Sequence, residues 1–94
     1  MDIQQVNETG KAIQKALEKN TCGWANTQAL QEIEGLCDEA LKFSDNSPYI
    51  SEKVAGIKSF AAILYSARGC QQHGGAEKVR DKVYDYAYRL TTWE

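Results

Sequence analysis

Residues 47–69, SPYISEKVAGIKSFAAILYSARG, carry a helix start, a helix stop and an apolar stripe too wide for one neighbour to cover. Ser47 stands where an N-cap is wanted. Pro48 fits the first helical position, where its missing N–H costs nothing. Gly69, directly after Arg68, is the residue type that best adopts the left-handed turn beyond a helix end. Between these signals Ile50, Val54, Ile57, Ala61 and Leu64 recur at alternating steps of four and three. Tyr49, Phe60, Ile63 and Ala67 form a second arc beside them. A helix apolar over that much of its circumference must be covered by other helices. The segment is therefore expected to be the central helix of a small helical core.

Three further segments supply the covering helices. From about Asp2 to Asn20, residues Ile3, Val6, Ile13, Ala16 and Leu17 share one face at helical spacing. Gly10 lies on that same face, at a cost of roughly 1 kcal/mol relative to alanine, and its ordinary use there is close approach of another helix. From about Thr27 to Ser44, with Asn26 or Thr27 as N-cap, the apolar face is Leu30, Ile33, Leu36, Cys37, Ala40 and Leu41. From about Ala76 to Trp93, residues Val79, Val83, Tyr86, Leu90 and Trp93 form the fourth stripe. This last stretch has a rival reading: Tyr84, Tyr86, Tyr88 and Leu90 alternate as in a strand. A strand here has no partner elsewhere in the chain and would pair only with its copy in a dimer, so the helix is preferred.

The connections Asn20–Asn26, Asp45–Ser47 and Gly69–Gly75 are short, which forces successive helices to reverse direction. The expected fold is all-α: a single domain over 1–94, built as an antiparallel bundle of about four helices. Three helices with a swapped or extended tail are the alternative.

Composition sets limits on function. The chain has 94 residues, 26% charged and 43% hydrophobic, which is ordinary for a globular domain. No run approaches the roughly 20 apolar residues of a membrane helix. The N-terminal MDIQQVNETGK shows neither the basic nor the apolar region of a signal peptide, so a cytoplasmic protein is expected, with no membrane partner. Net charge is −2, unevenly spread: residues 1–47 hold four Lys or Arg against eight Asp or Glu, and residues 48–94 hold seven against five. That balance disfavours a dedicated nucleic-acid binder.

The chemistry-bearing residues are few. Cys22, Cys37 and Cys70 are widely spaced and without a Cys-x-x-Cys pair. Each reads as a free or buried thiol. Cys70 and His73, in RGCQQHGG, have the spacing of two metal ligands, but a closed zinc site needs four. As a nucleophile–base pair they are poorly placed, since Cys70 follows a helix C-terminus, whose negative end raises a thiol pKa. No Ser-His-Asp set, Walker loop or HExxH is present. Neither a metal nor a cofactor is expected, and the chain does not read as an enzyme.

Surface recognition remains. On the fourth segment Tyr84 and Tyr88 are four residues apart, on a face away from Val79, Val83 and Leu90, with Arg80 beside them. Tyrosine and arginine are enriched at interface centres. The leading expectation is a non-enzymatic interaction module that binds a protein partner, or itself as a homodimer, through Tyr84, Tyr88 and Arg80. The alternative is a small-molecule or nucleotide site at a dimer interface, built from Tyr84, Arg80 and the backbone N–H groups of Gly74 and Gly75. Two further features stand beside these. Ala55, Ser59, Ala62 and Ser66, with Gly56 adjacent, form a small-residue flank that reads as a close helix contact. Lys78, Arg80, Lys82 and Arg89 mix with Tyr84, Tyr88 and Trp93, yet Glu77, Asp81 and Asp85 are interleaved, so the mix reads as a solvated face.

Overall fold

The computed structural model describes residues 2–20, 26–66 and 75–94. Four α-helices account for most of them: α1 (Ile3–Lys19), α2 (Thr27–Phe43), α3 (Pro48–Leu64) and α4 (Ala76–Thr91). There is no strand among the described residues, and residues 84–90 are helical throughout. The aromatic alternation there is overridden by the four-three stripe that faces the core.

The helix starts follow local chemistry. Asp2 caps α1, its carboxylate accepting the Gln5 N–H at 3.1 Å. Asn26 caps α2 through the Ala29 N–H, also at 3.1 Å. Ser47 occupies the cap position of α3 but makes no side-chain cap bond, and Pro48 begins the helix. Asp45 and Asn46, both with φ near +55° (53° and 57°), turn the chain from α2 into α3. Asp and Asn are the non-glycine residues that tolerate this backbone best.

Each helix packs against two others: α1 against α2 and α4, and α3 against α2 and α4. Cross-contacts fix the directions. The Asp2 N–H donates to the Phe43 carbonyl at 2.8 Å, joining the start of α1 to the end of α2. The tight turn through Asp45–Ser47 reverses the chain between α2 and α3, and Lys82, early in α4, lies over the ring of Phe60, late in α3, so successive helices run antiparallel. Lys58 pairs with Asp38 at 2.8 Å across the α2–α3 seam. That hydrogen bond to Asp38 is the main cause holding the Lys58 pKa above its usual value. The result is an up-down-up-down ring closed by α4 against α1. The core is shared by four walls, and α3 is one of them.

All four expected stripes meet in that core. Val6, Ile13 and Leu17 from α1, Ile33 and Cys37 from α2, the five-residue α3 stripe, and Val79, Val83 and Leu90 from α4 are each at most 2% exposed. Burying one such side chain is worth about 1.5–3 kcal/mol. Ala29 and Ala87 join them, small enough for neighbouring backbones to approach. Ile3 and Tyr49 do not join them, at 40% and 41% exposed, because both sit in the first turn of their helices at an open end of the bundle. 

The third helix departs from expectation at its end. Helical pairing stops at Leu64, and Gly69 lies outside the described residues. Tyr65, the C-cap, turns inward to 2% exposure, and its hydroxyl donates to the Asn20 carbonyl at 2.8 Å. One side chain thus ties the end of α3 to the end of α1.

Candidate functional site

Helix α4 presents two different flanks, one toward α1 and one toward α3, and the geometry of each follows from a helix contact beneath it. On the α1 side the contact is Gly10. A Cβ there would lie 2.9 Å from the Ala87 carbonyl oxygen, Leu90 Cβ and Thr91 Cγ2, so the two helices touch backbone to side chain. Close approach, expected from sequence, is what Gly10 provides. Asn7, one turn earlier, reaches across and donates its Nδ2 to the carbonyls of Leu90 (2.7 Å) and Trp93 (3.1 Å). The Leu90 carbonyl, which also accepts the Thr92 and Trp93 N–H groups, and the Trp93 carbonyl, just past the helix end, are thereby tied to α1. 

Above that contact the two tyrosines stay in solvent. Tyr84 is 39% exposed and Tyr88 53%. Arg80, one turn before Tyr84, is half-buried. Tyr84, Arg80 and Asp81 line an open groove of about 440 Å³, whose other wall is Leu17 and Glu18 of α1. Thus the structure brings Arg80 and Tyr84 together on one groove, with Tyr88 a further turn along the same helix.

The alternative ligand site is only partly described. Gly75 is the N-cap of α4, with φ 102° and ψ 163°, a conformation that only glycine adopts readily. Gly74 lies outside the described residues, as do Cys22, Cys70 and His73. At 1.5 Å per residue, Gly75 and Tyr84 are separated by about 13 Å along the axis of α4. No group of three metal-ligating side chains occurs among the described residues. Cys37 is fully buried, and burial pushes its thiol up to about 12, against the lowering effect of Lys58. At neutral pH it is a protonated core residue and not a nucleophile.

On the α3 side the contact is Gly56. A Cβ there would lie 2.7 Å from the Tyr86 ring, so the glycine makes room for an aromatic side chain from α4. Tyr86 stacks on Phe60, with centroids 6.1 Å apart and planes 22° apart. The small-residue flank next to Gly56 behaves otherwise. Ala55, Ser59 and Ala62 are exposed and Ser66 is half-buried. Gly56 makes the close helix contact, while Ala55, Ser59 and Ala62 point out of the ring.

The structure also sorts the charges of α4 more cleanly than the sequence implied. Lys78, Lys82, Tyr86 and Arg89 recur at steps of four, four and three, so they share the α3 flank, with Asp85 at its outer edge. Arg80 and the two exposed tyrosines fall on the α1 flank. That division was hidden while the two flanks were read as one mixed surface.

No helix among the described residues is long and apolar enough to cross a membrane. No protein-family model, curated protein or solved structure matches this chain.

Proposed function

We propose that this protein is a non-enzymatic interaction module whose C-terminal helix carries the recognition surface, with Tyr84, Tyr88 and Arg80 contacting a protein partner. The observation that carries this reading is the exposure of two tyrosines one turn apart, at 39% and 53%, beside a groove that already holds a half-buried arginine. Tyrosine gives a large contact area at low conformational cost, and such anchors near a partly desolvated arginine are where interface energy concentrates. The small core also supports recognition over enclosure: the helix stripes fill the ring, and the grooves described among these residues are open to solvent.

The test compares the protein with a Tyr84→Ala/Tyr88→Ala variant. Native mass spectrometry reads self-association, and affinity capture from the host cell reads partner binding. The reading requires that the wild type gives a dimer or a discrete captured protein and that the double variant loses it. Unchanged oligomeric state and unchanged capture in the variant overturn it.

A further inference from the structure

We propose that the seam between α3 and α4, on the opposite flank of α4 from Tyr84, is a docking surface for an acidic amphipathic peptide segment of a partner protein. Cations line this seam. Lys78, Lys82 and Arg89 are exposed on the α3 flank of α4, and Lys53 reaches the same seam from α3. Among the described residues no carboxylate lies within ion-pair distance of Lys78, Lys82 or Arg89. Lys53 has Glu52 at 3.8 Å, and that carboxylate is 74% exposed. Asp85 lies on the outer edge of the stripe, three residues after Lys82 and four before Arg89. Four cations therefore outnumber the two carboxylates beside them, in a chain whose net charge is −2.

The floor under these cations is aromatic. The Lys53 ammonium lies 5.1 Å from the Tyr49 centroid and 5.9 Å from that of Tyr86. The Lys82 ammonium lies 5.0 Å from the Phe60 centroid. Ring faces hold a cation near them by their negative quadrupole. Two of the four positive charges thus rest over ring faces, which restrains them before a carboxylate arrives. Beside them the exposed Tyr49 ring and the half-buried edges of Phe60 and Ile63 offer apolar contact.

This arrangement selects among anionic partners. A single-stranded nucleic acid binds such a surface by stacking bases on open ring faces. Here Phe60 and Tyr86 already face each other and two lysines, so those faces are taken. The net negative charge also opposes a long polyanion. A peptide with a few carboxylates and an apolar side meets both features of the seam: the carboxylates take the preset cations and the apolar side chains take the ring edges. The surface is separate from the Tyr84–Tyr88 flank, and the inference stands without that reading.

The test is selection from a random peptide library in which each peptide is as long as α4, displayed against the intact protein. The selected peptides are expected to be enriched in Asp and Glu alternating with apolar residues. Their affinity is expected to fall at least about tenfold with Lys82→Glu/Arg89→Glu, and to fall with added salt. Lys78→Glu, which disturbs no ring contact, is expected to weaken binding in the same direction, with circular dichroism confirming that both variants fold. Tyr84→Ala/Tyr88→Ala is expected to leave these affinities unchanged. Selection of neutral or basic peptides, failure to select any, affinities indifferent to both charge reversals, or tighter binding of a single-stranded oligodeoxythymidine overturns the proposal.

Discussion

The side-chain amide of Asn7 donates to the carbonyl of Leu90 at 2.7 Å, joining the first helix of the chain to the last across 83 residues of sequence. With Gly10 one turn away on the same helix, it defines how α4 closes the ring, and so where Tyr84 and Tyr88 stand.

Replacing Asn7 by alanine is expected to cost about 1–2 kcal/mol, because two carbonyls at the end of α4 lose a part-buried donor. Urea unfolding followed by circular dichroism measures it. An aspartate at the same site is expected to be worse than alanine, since it turns a donor into an acceptor facing two carbonyls.

Three helical glycines should respond differently to the same substitution. Gly10→Ala places a methyl 2.9 Å from a backbone oxygen and is expected to destabilise by about 1–3 kcal/mol. Gly56→Ala collides with the Tyr86 ring and is expected to destabilise as well, with a change in the tyrosine environment visible by near-ultraviolet circular dichroism. Gly35 lies exposed in mid-helix with nothing within 4 Å of an added Cβ, and Gly35→Ala is expected to stabilise by about 0.5–1 kcal/mol. Melting temperatures of the three variants check the order.

High pH should destabilise this fold partly through Cys37. An unfolded thiol ionises near its ordinary value of 9.0, whereas the buried one holds its proton to about 12. Between those values the folded chain carries a proton that the unfolded chain has lost, so rising pH favours unfolding. The contribution is fully present below pH 9 and declines above it, by at most about 1.4 kcal/mol per pH unit. The stability of the wild type is expected to fall more steeply than that of Cys37→Ala across this window, as read by denaturant titrations at successive pH values.

Tyr86 and Tyr88 lie two residues apart and should differ sharply in stability effect. Tyr86→Ala removes a ring packed on Gly56 and Phe60 and is expected to cost about 2–4 kcal/mol. Tyr88→Ala, at a half-exposed position, is expected to change stability by less than about 0.5 kcal/mol. Thermal unfolding distinguishes them, and the second result makes Tyr88 a usable probe of binding.

The four helices were legible because each carries its own periodic stripe, and periodicity is a local property. Gly10 was legible for the same reason, lying on an apolar face where a glycine has few other uses. What escaped notice depends on partners distant in sequence. Asn7 reads as an unremarked polar residue until α4 is laid beside it. Tyr65 reads as the continuation of α3 until Asn20 offers a carbonyl. Gly56 stands beside a small-residue flank in sequence, and only the arrival of Tyr86 gives it a use different from that of Ala55 and Ser59, which face outward. The two flanks of α4 could not be told apart while the neighbours on either side were unassigned. So Lys78, Lys82 and Arg89 were grouped with Arg80, Tyr84 and Tyr88 on one mixed surface.

The central claim is that the Tyr84–Tyr88 flank of α4 meets another protein. A photo-crosslinking amino acid placed at Tyr88, in the protein expressed in its native host, tests it most directly. A matched control carries the same group at Gly35, exposed on α2. The account predicts a discrete protein adduct from position 88, or a crosslinked dimer, and none of equal yield from position 35. Absence of any adduct from position 88, or equal adducts from both positions, contradicts it.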